Sequence, residues 1–228
     1  MRVIAAPLFS LLVLALAGCS STEAIVPVKT TQTAAVQGDA TSIYWLDEKQ
    51  TFPETLSEIV LMGDHGQYQS EYRWRKGVVR EIHRKGTVLD GGKLKEQSIL
   101  IRYDSEGQAV YQQYRLDGDL LPIRSTELVK YYRQAEQSLA NAKTLGKESQ
   151  DFFQGYWKAG TFEECGSSSE KTLTFDTVLP DYLLQRLNPQ RNFLAAVGEV
   201  GRRSNTVNEV IMLGAGDTPC LVRPVFKS

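Results

Sequence analysis

The stretch Q-Y-Q-S-E-Y-R-W-R, residues 67–75, has the most regular pattern in the chain and decides its predicted fold. Tyr68, Tyr72 and Trp74 face one way, whereas the glutamine and charged residues that alternate with them face the other. This period of two residues indicates a β-strand with one buried and one solvated face. Such a strand is stable only within a sheet, so the flanking sequence has to supply its neighbours.

Turn signals divide that flanking sequence into short strands. An apolar run at 57–62 ends at Gly63, and further turns are predicted at 76–77, 89–92, 104–107 and 117–118. Because such short connections join antiparallel neighbours, residues 56–121 are predicted to form a meander of about five strands. Its aromatic residues are predicted to form a core: Tyr68, Tyr72, Trp74, Tyr103, Tyr111 and Tyr114.

A helix is predicted after Pro122. Ser125 or Thr126 is a suitable N-cap, and Glu127 would lie in the first turn. An apolar stripe follows at spacings of three and four residues, which indicates packing against one surface. Its members are Leu128, Tyr132, Ala135, Leu139 and Ala142. Gly146 interrupts the stripe, and the helix is expected to resume through 152–153.

The strand pattern returns from Tyr156 onwards. Five strands are predicted, at 158–165, 171–175, 193–200, 206–213 and 221–226, with a short helix at 181–187. Five strands with one short helix favour a small Greek-key barrel of the OB type or a compact sandwich. The predicted fold class is therefore α+β, mostly β: an antiparallel meander with a long helix, followed by a small barrel or sandwich.

The N-terminus has the pattern of a secretory signal peptide. Arg2 precedes a short apolar core at 3–16, and Leu16-Ala17-Gly18-Cys19 resembles the lipobox of bacterial lipoproteins. The resemblance implies cleavage before Cys19 and acylation of that cysteine, with palmitate among the attached acyl chains. Ser20 in place of aspartate implies the outer membrane, facing the periplasm. An ordinary signal peptide with a chance cysteine, or a signal anchor, is the alternative.

These patterns predict four segments. Residues 1–18 form the signal peptide, 19–40 a flexible tether, 41–155 the β-meander with its helix, and 156–228 a small disulfide-tied β domain. A first strand at 24–28 is the alternative to the start of the tether, and Pro27 disfavours it.

The cysteine count predicts one disulfide. If Cys19 carries lipid, Cys165 and Cys220 remain as an even pair in an oxidising compartment. We predict that they are bonded, tying the first strand of the second domain to its last, with two buried free thiols as the alternative. No C-x-x-C motif is present, which favours a structural role.

No residue pattern predicts an enzyme. His65 and His83 lack the spacing of a metal site, so neither metal nor other cofactor is expected. The serines at 167–169 lack a G-x-S-x-G context and indicate a polar turn. The formal net charge of −1 gives no reason to expect nucleic acid as a partner.

One surface stands out by its charge. Six basic residues lie close together in sequence and are the candidate binding surface: Arg73, Arg75, Lys76, Arg80, Arg84 and Lys85. Such a face can meet anionic lipid or an acidic protein. The alternative is a solvated face whose charges prevent edge-to-edge pairing of the sheet.

The layout as a whole resembles a known family. A meander, a helix, the segment G-Y-W-x-A-G-x-F-x-x-C at 155–165 and the late Cys220 resemble the uncharacterised YjaH-like lipoproteins of gamma-proteobacteria. The resemblance implies a cell-envelope lipoprotein and supplies no catalytic residue. The first functional hypothesis is a tethered, non-enzymatic module that binds an envelope protein or polymer. The second is a periplasmic sensor or carrier for a small or lipidic molecule.

Overall fold

A computed structural model describes residues 26–148, 150–167, 169–176, 178, 181–187 and 190–227 of the chain. Within these residues, thirteen strands form one sheet. The strands are β1 Val28–Gln37, β2 Ala40–Lys49, β3 Phe52–Leu61, β4 Gly66–Arg75, β5 Val78–Asp90, β6 Lys93–Tyr103, β7 Ala109–Leu116, β8 Asp119–Leu121, β9 Asp151–Lys158, β10 Thr161–Glu164, β11 Glu170–Phe175, β12 Asn192–Val200 and β13 Ser204–Ala215. The helices are α1 Ser125–Lys147 and α2 Asp181–Leu187.

Strands β1–β8 form an antiparallel meander in chain order, which confirms the predicted meander and extends it towards the N-terminus. The β1–β2 hairpin pairs ten positions, from Val28 opposite Lys49 to Gln37 opposite Ala40. The predicted tether over 19–40 is therefore wrong from Val28 onwards. The signal was present, because Gly38-Asp39 separates two runs by two residues, as in tight hairpins.

Helix α1 covers one face of the meander with the predicted apolar stripe. Ala135, Leu139 and Ala142 are buried against it. The sheet contributes the larger side chains of this core: Tyr44, Leu46, Leu56, Tyr72, Trp74, Val79, Ile82, Ile99, Ile101 and Tyr103. The N-cap is Arg124, rather than the predicted Ser125 or Thr126, and the Glu127 side chain accepts a hydrogen bond from its backbone N–H.

Strands β9–β13 close into a five-stranded barrel, which is one of the two arrangements, barrel or sandwich, that the sequence predicted. The order is β9-β10-β11-β13-β12, closed by pairing of β12 with β9, and only β11 and β13 are parallel. This order, with a helix between the third and fourth strands, is that of an OB barrel. The first barrel strand is β9, so the predicted helix through 152–153 is wrong. Phe152 and Phe153 are buried on opposite faces of this strand, in two different core clusters.

Strand β12 joins the barrel to the meander. Its residues from Phe193 to Val197 are all buried, because its two faces belong to different cores. Leu194 and Ala196 point into the barrel, whereas Phe193, Ala195 and Val197 pack with residues of β1–β3 on the meander face opposite α1. The predicted boundary between 155 and 156 thus falls inside β9, and the two halves share a core.

The chain after β13 is a tail rather than the predicted strand at 221–226. Backbone groups of the tail form hydrogen bonds with side chains instead of with a neighbouring strand. The N–H and the C=O of Leu221, for example, both bond to the Gln154 side chain at 2.7 Å. The predicted disulfide between Cys165 and Cys220 is present and its Cα atoms are 6.2 Å apart. It ties the end of β10 to this tail, and not the first barrel strand to the last.

Candidate binding site at the open edge of the sheet

On the side away from the barrel the sheet ends at β8, and this side is an open edge within the described residues. Strand β8 pairs with β7 only at Tyr114–Leu116. On the side away from β6, residues 109–113 of β7 therefore have no partner strand within the described residues. Backbone N–H and C=O groups along such an edge are ready to pair with another chain.

An apolar groove adjoins this edge. It has a volume of about 600 Å³ and lies between the β6–β7 turn and the first turns of α1. Its lining residues are Tyr103, Gly107, Gln108, Ala109, Ser125, Leu128, Val129, Tyr132 and Arg133. This volume lies within the range of small-molecule pockets, and the apolar lining suits an aliphatic or aromatic group.

The groove has rigid aromatic walls. Tyr103 and Tyr132 meet edge to face with ring centroids 5.2 Å apart, and the Tyr103 hydroxyl donates to the Leu128 carbonyl at 3.1 Å. Burial raises the pKa of Tyr103, and the neighbouring hydroxyls of Tyr132 and Tyr131 raise it further. Tyr103 is therefore neutral at physiological pH. Among the lining residues only Arg133 carries a charge, and its side chain is exposed.

Exposed apolar side chains surround the same edge. Val110 is 66% exposed and Leu120 is 63% exposed, with Tyr111 and Leu121 also at the surface. The prediction of Tyr111 as a core residue is therefore wrong, because its strand lies too near the edge for a second layer to cover both faces. Apolar residues on both faces of a short strand beside the Asp117-Gly118 turn were the sequence signal for this site.

The six predicted basic residues do not form one surface. Arg84 is 5% exposed beneath α1, whereas Arg73 lies on the opposite face of the meander. Arg75, Lys76 and Lys85 are exposed, and Arg80 donates to the backbone carbonyl of Tyr103. The single basic face is therefore a wrong prediction, because successive residues of a strand point to opposite faces.

Arg84 belongs to a buried polar network between the meander and α1. Tyr72 donates to Glu58 Oε1 at 2.6 Å, and Ser138 of α1 donates to Glu58 Oε2 at 2.8 Å. Arg84 donates to the Ser70 and Tyr72 hydroxyls, both at 2.9 Å. Burial raises the pKa of Tyr72 well above its ordinary value, and the nearby Glu58 carboxylate acts in the same direction. The network holds α1 in register on the sheet.

The opposite face of β4 and β5 is covered by the C-terminal tail. Arg73 donates to the Phe226 carbonyl at 3.0 Å and to Glu81 Oε1 at 3.0 Å. The Phe226 ring lies 5.6 Å from that of His83, whose Nε2 is 2.9 Å from Glu81 Oε1. His83 is thus a buried residue under the tail, and the exposed His65 lies elsewhere, in a 3₁₀ turn at 63–65.

Two kinds of feature are absent from the described part of the chain. It contains no group of three His, Cys, Asp or Glu side chains that could hold a metal ion. Neither does it contain a helix long and apolar enough to cross a bilayer.

Comparison with known proteins places the chain in a family. A family model described as a protein of unknown function, DUF1481, matches residues 32–225. The chain belongs to the DUF1481 family. The DUF1481 match begins in β1 and ends in the tail, so the meander, α1 and barrel together make up the family's unit. No curated protein matches the chain, and no solved structure does.

Proposed function

We propose that this DUF1481 protein is a lipid-anchored, non-enzymatic module of the cell envelope that binds a partner protein. The partner contributes an extended segment, which adds to the sheet as a strand beside β7. The observation that carries this proposal is the unpaired edge at 109–113 beside the apolar groove.

Strand addition accounts for both features of the site. Main-chain hydrogen bonds to an exposed edge supply affinity, and pockets for alternate side chains supply specificity. The groove would receive apolar side chains from one face of the incoming strand, while Val110 and Leu120 add exposed apolar surface around it. The partner segment is therefore extended, with apolar residues at every second position.

Site-specific photocrosslinking in cells tests this proposal. A photoreactive phenylalanine analogue at Tyr111 is expected to give a discrete adduct whose crosslinked peptide alternates apolar and polar residues. The matched control is the same analogue at Val222, which is 75% exposed in the tail. The edge variant Val110→Lys should reduce the Tyr111 adduct at least tenfold, whereas Val222→Lys should not.

Two results would contradict strand addition. One is an adduct equally strong from Tyr111 and Val222. The other is a Tyr111 adduct that is unchanged by Val110→Lys, since a lysine on an edge strand opposes pairing with another strand.

The proposed anchor is Cys19, which lies outside the described residues. The lipobox resemblance supports it, as does the oxidising compartment implied by the Cys165–Cys220 disulfide. Mass spectrometry of the N-terminal peptide should find acylated Cys19 in the outer-membrane fraction, and Cys19→Ala should release the protein from that fraction. An unmodified Cys19 would rule out this anchor.

The groove also favours a second candidate function, the carriage or sensing of a small apolar molecule. An apolar fluorescent probe, N-phenylnaphthylamine, should bind the purified protein with micromolar affinity. Leu128→Asp places a charge in the groove and should weaken binding more than tenfold, whereas Val222→Asp should not. Equal binding by both variants would exclude the groove as the site.

A further inference from the structure

One end of the sheet combines apolar side chains with lysines. At this end β1 begins, with Val28 opposite Lys49, and Lys49 is in turn opposite Phe52 of β3. A groove of about 510 Å³ lies here. Its lining residues are Val26, Lys49, Gln50, Phe52, Pro53, Glu54 and Lys76. Phe52 is 59% exposed and Val28 is 49% exposed, so the apolar groups face outward.

The charge at this end is positive. A second groove shares Gln50 with the first and is also lined by Lys29, Lys143 and Lys147. Together the two linings hold five lysines against two glutamates, Glu48 and Glu54.

Only two of these lysines are paired. Lys143 lies 2.9 Å from Glu48, and Lys49 lies 3.7 Å from Glu54. Lys29, Lys76 and Lys147 are exposed and form no salt bridge within the described part of the chain; Glu48, which lies opposite Lys29 in the β1–β2 register, is paired with Lys143. The surface therefore carries unneutralised positive charge around its apolar groups.

The same end is the one nearest to the proposed anchor. Seven residue steps separate Cys19 from Val26. Even a fully extended chain of that length spans only about 25 Å, so an acylated Cys19 would hold this end close to the bilayer. A tether running to residue 40 would have allowed any orientation, and the β1 strand removes that freedom.

We propose that this end of the sheet docks on an anionic phospholipid surface, the membrane that holds the Cys19 lipid. The docking rests on the proposed anchor. Phe52, Val26 and Val28 enter the boundary between headgroups and acyl chains, while Lys29, Lys76 and Lys147 meet the phosphates. The patch is a second membrane signal beside the lipid, and it fixes the orientation of the sheet relative to the bilayer.

Quenching by brominated lipids tests the docking. The lipidated full-length protein is reconstituted in vesicles of phosphatidylethanolamine and phosphatidylglycerol whose acyl chains carry bromine, which quenches only tryptophans within the bilayer. Phe52→Trp should add fluorescence that is quenched at least twofold. The matched control is Leu94→Trp, because Leu94 is an exposed apolar residue (53%) at the opposite end of the strands.

Charge is tested in the same vesicles. The variant tested carries Phe52→Trp together with three lysine substitutions. These substitutions, Lys29→Gln, Lys76→Gln and Lys147→Gln, should together remove most of the quenching. Replacement of phosphatidylglycerol by phosphatidylcholine should do the same. Circular dichroism checks that the variant is folded. Quenching that persists in the folded triple variant, or in the phosphatidylcholine vesicles, would overturn the electrostatic part of the proposal and with it the docking.

The outcomes separate docking from the anchor. Acylated Cys19 with an unquenched tryptophan at position 52 overturns docking and keeps the anchor. Quenching in protein that mass spectrometry shows to be unacylated keeps docking and overturns the anchor. Unacylated protein without quenching overturns both, and equal quenching at positions 52 and 94 overturns the proposed orientation.

Discussion

The guanidinium of Arg223 donates two hydrogen bonds, 3.0 and 2.7 Å long, to the carboxylate of Asp47, which lies 176 residues earlier in the chain. The same guanidinium donates to Ser57 and Thr55 of β3. A residue of the tail thereby clamps the last part of the chain onto β2 and β3. Paired, two-point contacts of this kind are among the stronger polar interactions in proteins.

The clamp should contribute measurably to stability. Arg223→Ala should lower the free energy of unfolding by about 2 kcal/mol, because hydrogen bonds to a charged group are lost and Asp47 remains half-buried. Urea unfolding measures this change. The matched control is Arg202→Ala, since Arg202 is exposed and has no partner among the described side chains. Equal losses in both variants would show that the tail contact does not stabilise the fold.

Acid should release the same clamp. Partial burial acts to raise the pKa of Asp47, but hydrogen bonds from Arg223, Thr30 and Thr55 outweigh it and hold that pKa below its ordinary value. A lowered folded-state pKa stabilises the protein above the unfolded-state pKa of about 4, and this stability is lost as pH falls through the folded-state value. Stability should therefore decrease below about pH 4.

Glu81 contributes to the same acid transition. Burial acts to raise its pKa, but a hydrogen bond from Arg102 and the proximity of His83 and Arg73 lower it. Urea unfolding at pH 7, 5 and 3 measures the effect. Asp47→Asn should flatten the decrease between pH 5 and 3, whereas Asp119→Asn, at an exposed residue of β8, should leave it as in the parent chain. If Asp47→Asn leaves the pH dependence of the free energy of unfolding unchanged, the acid transition does not arise from Asp47.

The buried network predicts strong coupling between two charges. Arg84→Met leaves the Glu58 carboxylate buried without its cation, 3.6 Å away in the parent chain, and should cost about 3–5 kcal/mol. Adding Glu58→Gln should restore a substantial part of that loss, because the uncompensated charge is removed. A double-mutant cycle by urea unfolding gives the coupling energy, and strictly additive losses would argue against a coupled network.

The disulfide predicts both a chemical and a thermodynamic result. Without reductant, alkylation of the denatured protein should leave Cys165 and Cys220 unlabelled, and labelling of either would contradict the bond. Reduction, or paired Cys165→Ser and Cys220→Ser, should lower stability by about 4 kcal/mol, the loop-entropy value for residues 55 apart. Reduced parent protein and the paired variant should unfold at the same urea concentration.

The elements with strong local periodicity were predictable. The alternation at 67–75 predicted β4, and the stripe from Leu128 to Ala142 predicted α1. The turn-bounded runs near the C-terminus predicted a five-stranded barrel or sandwich, although the run at 221–226 is the tail and the first barrel strand is β9. Strand β1 was missed, because its sequence is rich in threonine and alanine and its hydrophobic contrast is weak. Strand β9 was missed since adjacent phenylalanines facing two cores have no period of two.

The candidate site was less predictable than the fold. An open edge depends on where the neighbouring strand stops, and β8 covers only three residues of β7. Nothing local to Ala109 or Val110 encodes that end point. The prediction of a single basic surface was wrong for a related reason. A run of basic residues in sequence does not reveal which face of the sheet is covered by α1 and which by the tail.

Sequence alone determined the strand alternation, the helix stripe and the even cysteine pair, since each depends on the spacing of residues near one another or on a count. Only the tertiary structure decided that Arg84 is buried under α1, that Arg73 lies under the tail, and that Arg223 reaches Asp47. Those outcomes depend on which remote segment packs against each face. That choice is made by burial summed over the whole chain and not by any local pattern.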